Sequence, residues 1–197
     1  ARMFLAEKGI TVPMVEVDIV GGENLQPAYL AINPRGLLPT LVLDDGTRID
    51  EVMAICRYFE ALYPWRPLLG RTPVECARVE CMQRRAEFDG MIAGSEVFRN
   101  QHPQFAARSI PGGGAQTIPA IPALVERGRQ TLARFFDWLE STLTGTPWLV
   151  GDALTMADIT AFCAIDFAGW VDIRIPDRHV ATLRWYAALN ARPSARA

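Results

Sequence analysis

The spacing of apolar side chains divides the chain into an α/β first part and a helical second part. Met3, Phe4 and Leu5 precede Lys8 and Gly9, which reads as the end of a helix: a cation at the negative pole, then a C′ glycine. Val12 to Val20 alternates in part and is rich in β-branched residues, so it predicts a strand ended by Gly21-Gly22. Leu25 to Ile32 predicts a short helix that tolerates Pro27 in its first turn. Leu41, Val42 and Leu43 form an apolar run, and Asp45-Gly46 is a type I′ signal for a hairpin between two short strands. Val52, Ile55, Cys56, Phe59, Leu62 and Tyr63 then recur on one face of a helix that Asp50 can cap. The order helix, strand, helix, strand, strand, helix describes an α/β sheet with helices on both faces.

The pattern changes after Tyr63. Tyr63 to Pro73 holds three prolines and one glycine in eleven residues, which excludes a helix and marks residues 64–73 as a linker. It separates a first domain, 1–63, from an all-helical second domain, 74–197. Val74, Ala77, Val79, Met82, Ala86, Met91 and Val97 predict one long helix from Val74 to Asn100. Gln101 to Pro122, with four prolines and glycines at 112–114, reads as a surface loop. Leu124 to Leu143 predicts a second helix. Thr155-Met156-Ala157-Asp158 is a capping box, with Leu154 placed to staple onto Ile159. The helix it starts is apolar on most sides through Trp170, so it belongs at the centre of its domain. His179 to Ala191 predicts the last helix, ended by Arg192-Pro193.

Composition narrows the function classes. The chain has 197 residues, half of them hydrophobic and 21% charged, which suits a soluble globular protein. A net charge of −2 gives no electrostatic case for nucleic acid. No apolar run approaches the roughly 18 residues that a membrane span needs, and no signal-peptide pattern is visible. The four cysteines, Cys56, Cys76, Cys81 and Cys163, form no CxxC pair, and only two histidines are present, so no metal site is expected. Cys56 and Cys163 fall in apolar helical patterns and read as core. A reduced, cytoplasmic protein follows as the expectation.

Two stretches carry a family resemblance. Asn33-Pro34-x-Gly36-x-x-Pro39-x-Leu41, then Asp45-Gly46, then Glu51-x-x-Ala54-Ile55-x-x-Tyr58, resembles the second half of the thioredoxin-like domain of glutathione transferases. Gly151-Asp152-x-Leu154-Thr155-x-Ala157-Asp158 resembles the box that caps the central helix of that family's helical domain. The resemblance runs from about residue 1 to the end of the chain. It implies a thioredoxin-like domain that lacks its first strand, followed by a helical bundle. The missing strand and the start of the first helix would lie upstream of Ala1, and the catalytic Tyr, Ser or Cys with them. It also implies a homodimer about the long helix, where Arg78, Arg84 and Arg85 alternate with Glu75, Glu80 and Glu87.

The chemistry implied is that of glutathione as co-substrate, without a metal. On the residues alone, Leu38-Pro39 opens an edge strand with a trans proline. The resemblance makes the bond cis and turns the Leu38 N–H and C=O outward to hold the cysteinyl residue of glutathione like an added strand. Glu51 would take the γ-glutamyl ammonium, and the Val52 N–H at the helix tip its carboxylate. Without the resemblance, Asp50 and Glu51 merely complement the helix dipole. A small hydrophobic electrophile would lie along the helix after the linker, near Met91, Phe98, Arg99, His102 and Phe105. Thr155 and Asp158 would serve folding only. The chain departs from the family at Val52, where Ser or Thr is usual, at Leu37, where Gln or Lys is frequent, and at Asn24 and Leu25, where some classes carry a basic pair. The leading activity is conjugation of the glutathione thiolate to electrophiles. A non-catalytic binding or interaction protein on the same fold, and a glutathione-dependent reductase or isomerase, stand beside it.

Overall fold

The computed structural model describes residues 1–108, 110–114 and 116–197. Helix α1 (Arg2–Lys8) stops at Gly9, whose φ of 67° lets its N–H and that of Ile10 return to the Ala6 and Leu5 carbonyls. A 3₁₀ turn (Glu23–Leu25) and the one-turn helix α2 (Pro27–Leu30) precede strands β1 (Thr40–Val42) and β2 (Arg48–Asp50). These pair antiparallel, Thr40 opposite Asp50 and Val42 opposite Arg48. Helix α3 (Val52–Leu62) follows at once. The helical part comprises α4 (Pro73–Arg85), a π-helical stretch (Ala86–Ile92), α5 (Ala93–Gln101), α6 (Pro122–Leu143), α7 (Met156–Ala168) and α8 (Val180–Asn190).

Three local expectations are corrected. The predicted strand Val12–Val20 does not form. The two-stranded sheet holds β1 and β2 alone, and among the described residues the backbone of 12–17 finds no ladder partner. A β-branched run does not become a strand without a neighbour to take its hydrogen bonds. The hairpin is not type I′. Asp45 keeps a negative φ and only Gly46 is left-handed, at 84°. The turn closes from the Gly46 N–H to the Leu43 carbonyl, and the Asp45 carboxylate accepts the Thr47 N–H at 2.8 Å. Asp50 is the last residue of β2, and Glu51 occupies the N-cap of α3.

The long helix is present, with its middle turns widened into the π stretch. There Gly90 lies against α6 and α7: a Cβ on it would come within 2.9 Å of both Ala164 and Phe135. The α7 helix is buried on almost every side, from Met156 through Ala168. One continuous core joins it to Met3, Phe4 and Leu5 of α1, to Ile55, Cys56 and Phe59 of α3, and to Trp185 and Leu189 of α8. The segment between α3 and α4 is pinned to both parts. Glu60 Oε1 accepts the Leu68 and Leu69 N–H groups, and the Leu68 carbonyl accepts the Met156 N–H at 2.8 Å. Fully buried Lys8 donates to Glu60 at 2.7 Å and to the Trp65 and Arg66 carbonyls. Residues 102–108, 110–114 and 116–121 lie between α5 and α6 outside any long helix, with a short 3₁₀ turn (Pro103–Phe105); Ser109 and Ala115 lie outside the described residues.

Candidate functional site

The Leu38–Pro39 peptide bond is cis. The loop around it is held by buried polar side chains. Tyr29 donates its hydroxyl to the Leu37 carbonyl at 2.6 Å, Asn33 donates to the same carbonyl and to Thr40 Oγ1, and Asn24 donates to the Gly36 carbonyl at 2.6 Å. Among the described residues, neither the Leu38 N–H nor its C=O has a protein partner. This half-buried peptide unit is an open strand edge, fixed in place and able to pair with an extended peptide.

The pairing of Thr40 with Asp50 brings the α3 tip to the same end of the hairpin. Glu51 has φ 66° and ψ 127°, a conformation that non-glycine residues rarely adopt. The β2 strand runs straight into α3 with no loop between, so Glu51 alone makes the bend. Its exposed carboxylate accepts from Arg35 at 2.6 Å. Val52, half-buried, is the first residue of the helix, and its N–H belongs to the unsatisfied positive end.

The expected electrophile residues separate into two groups. Phe98 and His102, one turn apart, stack at 4.9 Å between ring centres. Buried Phe105 packs against both, at 5.0 Å and 5.6 Å, and Phe167 and Trp170 complete the cluster on Phe98. Met91, in the π stretch, packs on the central core, as Phe98 also does. A narrow crevice borders Phe105 and is lined by Asn24, Leu25, Arg35, Gly36, Arg99, Arg108 and the 112–114 glycines. Arg35 bridges the two regions: it pairs with Glu51, and Gly112 lies so close that a Cβ there would sit 3.0 Å from its guanidinium.

The remaining candidates are structural. Burial pushes the Cys56 thiol up to about 11 and also raises Cys163, so neither is poised as a nucleophile. The Asp158 carboxylate, wholly buried, accepts the Thr155 N–H and hydroxyl, the Leu149 N–H and the Trp185 indole N–H. Burial drives its pKa upward against those four bonds. No metal-holding group of His, Cys, Asp and Glu occurs among the described residues, and no helix there is long and apolar enough to cross a membrane. The carboxylates of α4 and the π stretch have partners within the chain: Glu75 accepts from the Arg71 N–H, Glu80 pairs with Arg57 of α3, and Glu87 pairs with Arg84.

The sequence reading did not single out Arg108, whose guanidinium donates to the Val20 carbonyl 88 residues away. No local pattern announces a contact of that range. Leu37, Asn24 and Leu25, the departures at the expected site, all surround the loop that carries Leu38, and Asn24 works there as a structural donor.

Comparison with known proteins bears on the family and the fold. The family models described as "Glutathione S-transferase, N-terminal domain" and "Glutathione S-transferase, C-terminal domain" match residues 1–62 and 99–193. Glutathione S-transferase 2 of Saccharomyces cerevisiae is 32% identical over 98% of this chain and 81% of its own. The maleylacetoacetate isomerase of Pseudomonas aeruginosa is 30% identical over 99% of this chain and 81% of its own. The crystal structure of Gtt2 from Saccharomyces cerevisiae superposes with a TM-score of 0.88 at 31% identity, covering 99% of this chain and 91% of that one.

Proposed function

Because the chain belongs to the glutathione S-transferase family, with a thioredoxin-like N-terminal part and a helical C-terminal part, we propose that it binds glutathione along the Leu38 edge and conjugates its thiolate to hydrophobic electrophiles. The unpartnered Leu38 N–H and C=O beside the α3 tip carry this reading. A tripeptide laid there makes main-chain bonds to Leu38 through its cysteinyl residue. Its γ-glutamyl carboxylate meets the Val52 N–H at the positive end of α3, and its ammonium meets Glu51. Arg35 holds the Glu51 carboxylate in position.

Positioning the sulfur is half of the chemistry. A free thiol of pKa ~8.5 is only a few per cent ionised near neutrality. Lowering it by two units requires ~2.7 kcal/mol of preferential thiolate stabilisation. A hydroxyl or thiol donor beside the bound sulfur would supply part of it. The thiolate then attacks an electrophile seated against Phe98, His102 and Phe105, whose rings offer an apolar wall. Conjugation is favoured over isomerisation by that wall and by the first relative's name.

The protein acts as a cytoplasmic homodimer in the same proposal. Val74, Arg78, Cys81, Arg85, Phe88 and Ile92 fall on one side of the α4 and π segments and are all exposed, an apolar and cationic stripe suited to a two-fold contact. Because Glu75, Glu80 and Glu87 are engaged within the chain, the stripe rather than ion pairing would hold it.

Retention on immobilised glutathione tests the reading. The chain is expected to bind and to elute with free glutathione. Val52→Ser, which restores a hydroxyl at the helix tip, is expected to tighten binding roughly fivefold, about one hydrogen bond's worth. If neither form is retained, the site assignment fails.

A further inference from the structure

Arg99 and Arg108 are an unusual pair. Their guanidinium carbons lie 5.0 Å and 4.3 Å from the centre of the same buried ring, Phe105. Arg99 donates to the Arg108 carbonyl; Arg108 donates to the Gln104 and Val20 carbonyls. Among the described residues no carboxylate pairs with either. The other cation on the crevice, Arg35, is committed to Glu51. Burial and then the neighbouring Arg108 charge both disfavour the protonated form of Arg99. Two cations held together at the edge of an aromatic cluster, with neutral carbonyls as their acceptors among the described residues, are short of negative charge.

We propose that Arg99 and Arg108 form a carboxylate-binding subsite that selects electrophiles pairing an aromatic or otherwise apolar body with an anionic carboxylate. The apolar body packs on Phe98, His102 and Phe105, and the carboxylate enters the crevice. The crevice is too narrow for a whole ligand, so only a head group would approach the two guanidiniums. The guanidinium fork suits a planar two-oxygen acceptor. The assignment of this anion to the electrophile rests on the transferase reading; the affinity of the crevice for a carboxylate does not.

The test separates the two. Cinnamate and its methyl ester are titrated into the full chain without glutathione and followed by tryptophan fluorescence, since Trp170 touches the Phe98 cluster. Cinnamate is expected to bind about tenfold more tightly than the ester, with an affinity that falls as salt rises. Arg99→Gln and Arg108→Gln each abolish that preference, while Arg99→Lys restores part of it. Should the glutamine variants fold poorly, the wild-type acid-to-ester ratio decides alone. Equal binding of acid and ester, or no binding of either, overturns the proposal. So does a loss confined to glutathione affinity in the glutamine variants, which would assign the crevice to the tripeptide's own carboxylate. Failure of glutathione retention with an intact acid preference would overturn the transferase reading and leave the carboxylate site standing.

Discussion

At the residue scale, Glu51 combines features that pull against each other. Its backbone sits at φ 66°, its side chain is exposed, and among the described residues that side chain pairs with the exposed Arg35. An exposed ion pair of this kind contributes about 0–1 kcal/mol. A strained non-glycine backbone costs on the order of 1–3 kcal/mol. Folding alone would therefore favour glycine here, and Gly is also acceptable at an N-cap. Glu51→Gly is expected to raise stability by about 1 kcal/mol in urea unfolding. The same change is expected to lower retention on glutathione by about tenfold or more through loss of the ammonium partner. A variant that is less stable than the parent, or equally well retained, would show that Glu51 is a structural residue and not a ligand-binding one.

At the element scale, α7 is organised by Asp158. The sequence announced this box because its parts are three residues apart and act locally. The sequence could not announce the other half: the Leu149 N–H and the Trp185 indole also end on Asp158. Asp158→Ala leaves three N–H groups in a buried setting without an acceptor, so it is expected to cost at least ~3 kcal/mol in denaturant unfolding. A loss under ~1 kcal/mol would mean that water reaches the site. The same contrast of local and distant partners sorts the other elements. Helices α3, α6 and α8 were legible because their apolar spacing is internal to them, and Gly9 marks an end by its own geometry. The Thr72 hydroxyl, which accepts the Glu75 N–H at the start of α4, was read only as part of the linker. The strand expected at Val12–Val20 failed because a strand is a property of two segments. The π stretch was invisible because it answers to the close approach of Gly90 to Phe135 and Ala164. At the site, Leu38, Pro39, Glu51 and Val52 were legible from an ordered motif, whereas Arg108 and the Arg35–Glu51 pair depend on contacts made across the fold.

At the scale of the molecule, the two ends of the chain are tied together. Glu7 of α1 accepts from Arg192 at 2.6 Å and 2.7 Å and from the Ser194 hydroxyl, across 185 and 187 residues. The hydrophobic core likewise runs unbroken from Met3 to Leu189. The thioredoxin-like part and the helical part should consequently unfold together, with tryptophan fluorescence and circular dichroism giving one coincident transition. The Glu7 tie gives that transition a pH signature. Hydrogen bonding from Arg192 holds the Glu7 carboxyl below its ordinary value, against a smaller opposing effect of burial and with help from Ser194. A carboxyl lowered in the folded state favours folding fully above its unfolded pKa, and that contribution is lost as pH falls through the folded value. The gap in stability between the parent and Glu7→Gln is expected to be about 1 kcal/mol at neutral pH, after allowance for solvent screening of the half-exposed Arg192. It should close as pH falls from about 5 to about 3. Urea midpoints of both proteins across that range measure it. A gap that stays constant would mean that Glu7 is held by packing rather than by charge. Two separate transitions at neutral pH would mean that the core joining α1 and α3 to α7 is not cooperative. The Leu38 edge and the Phe98 cluster would then rest on parts free to move apart, which a site shared between them does not tolerate.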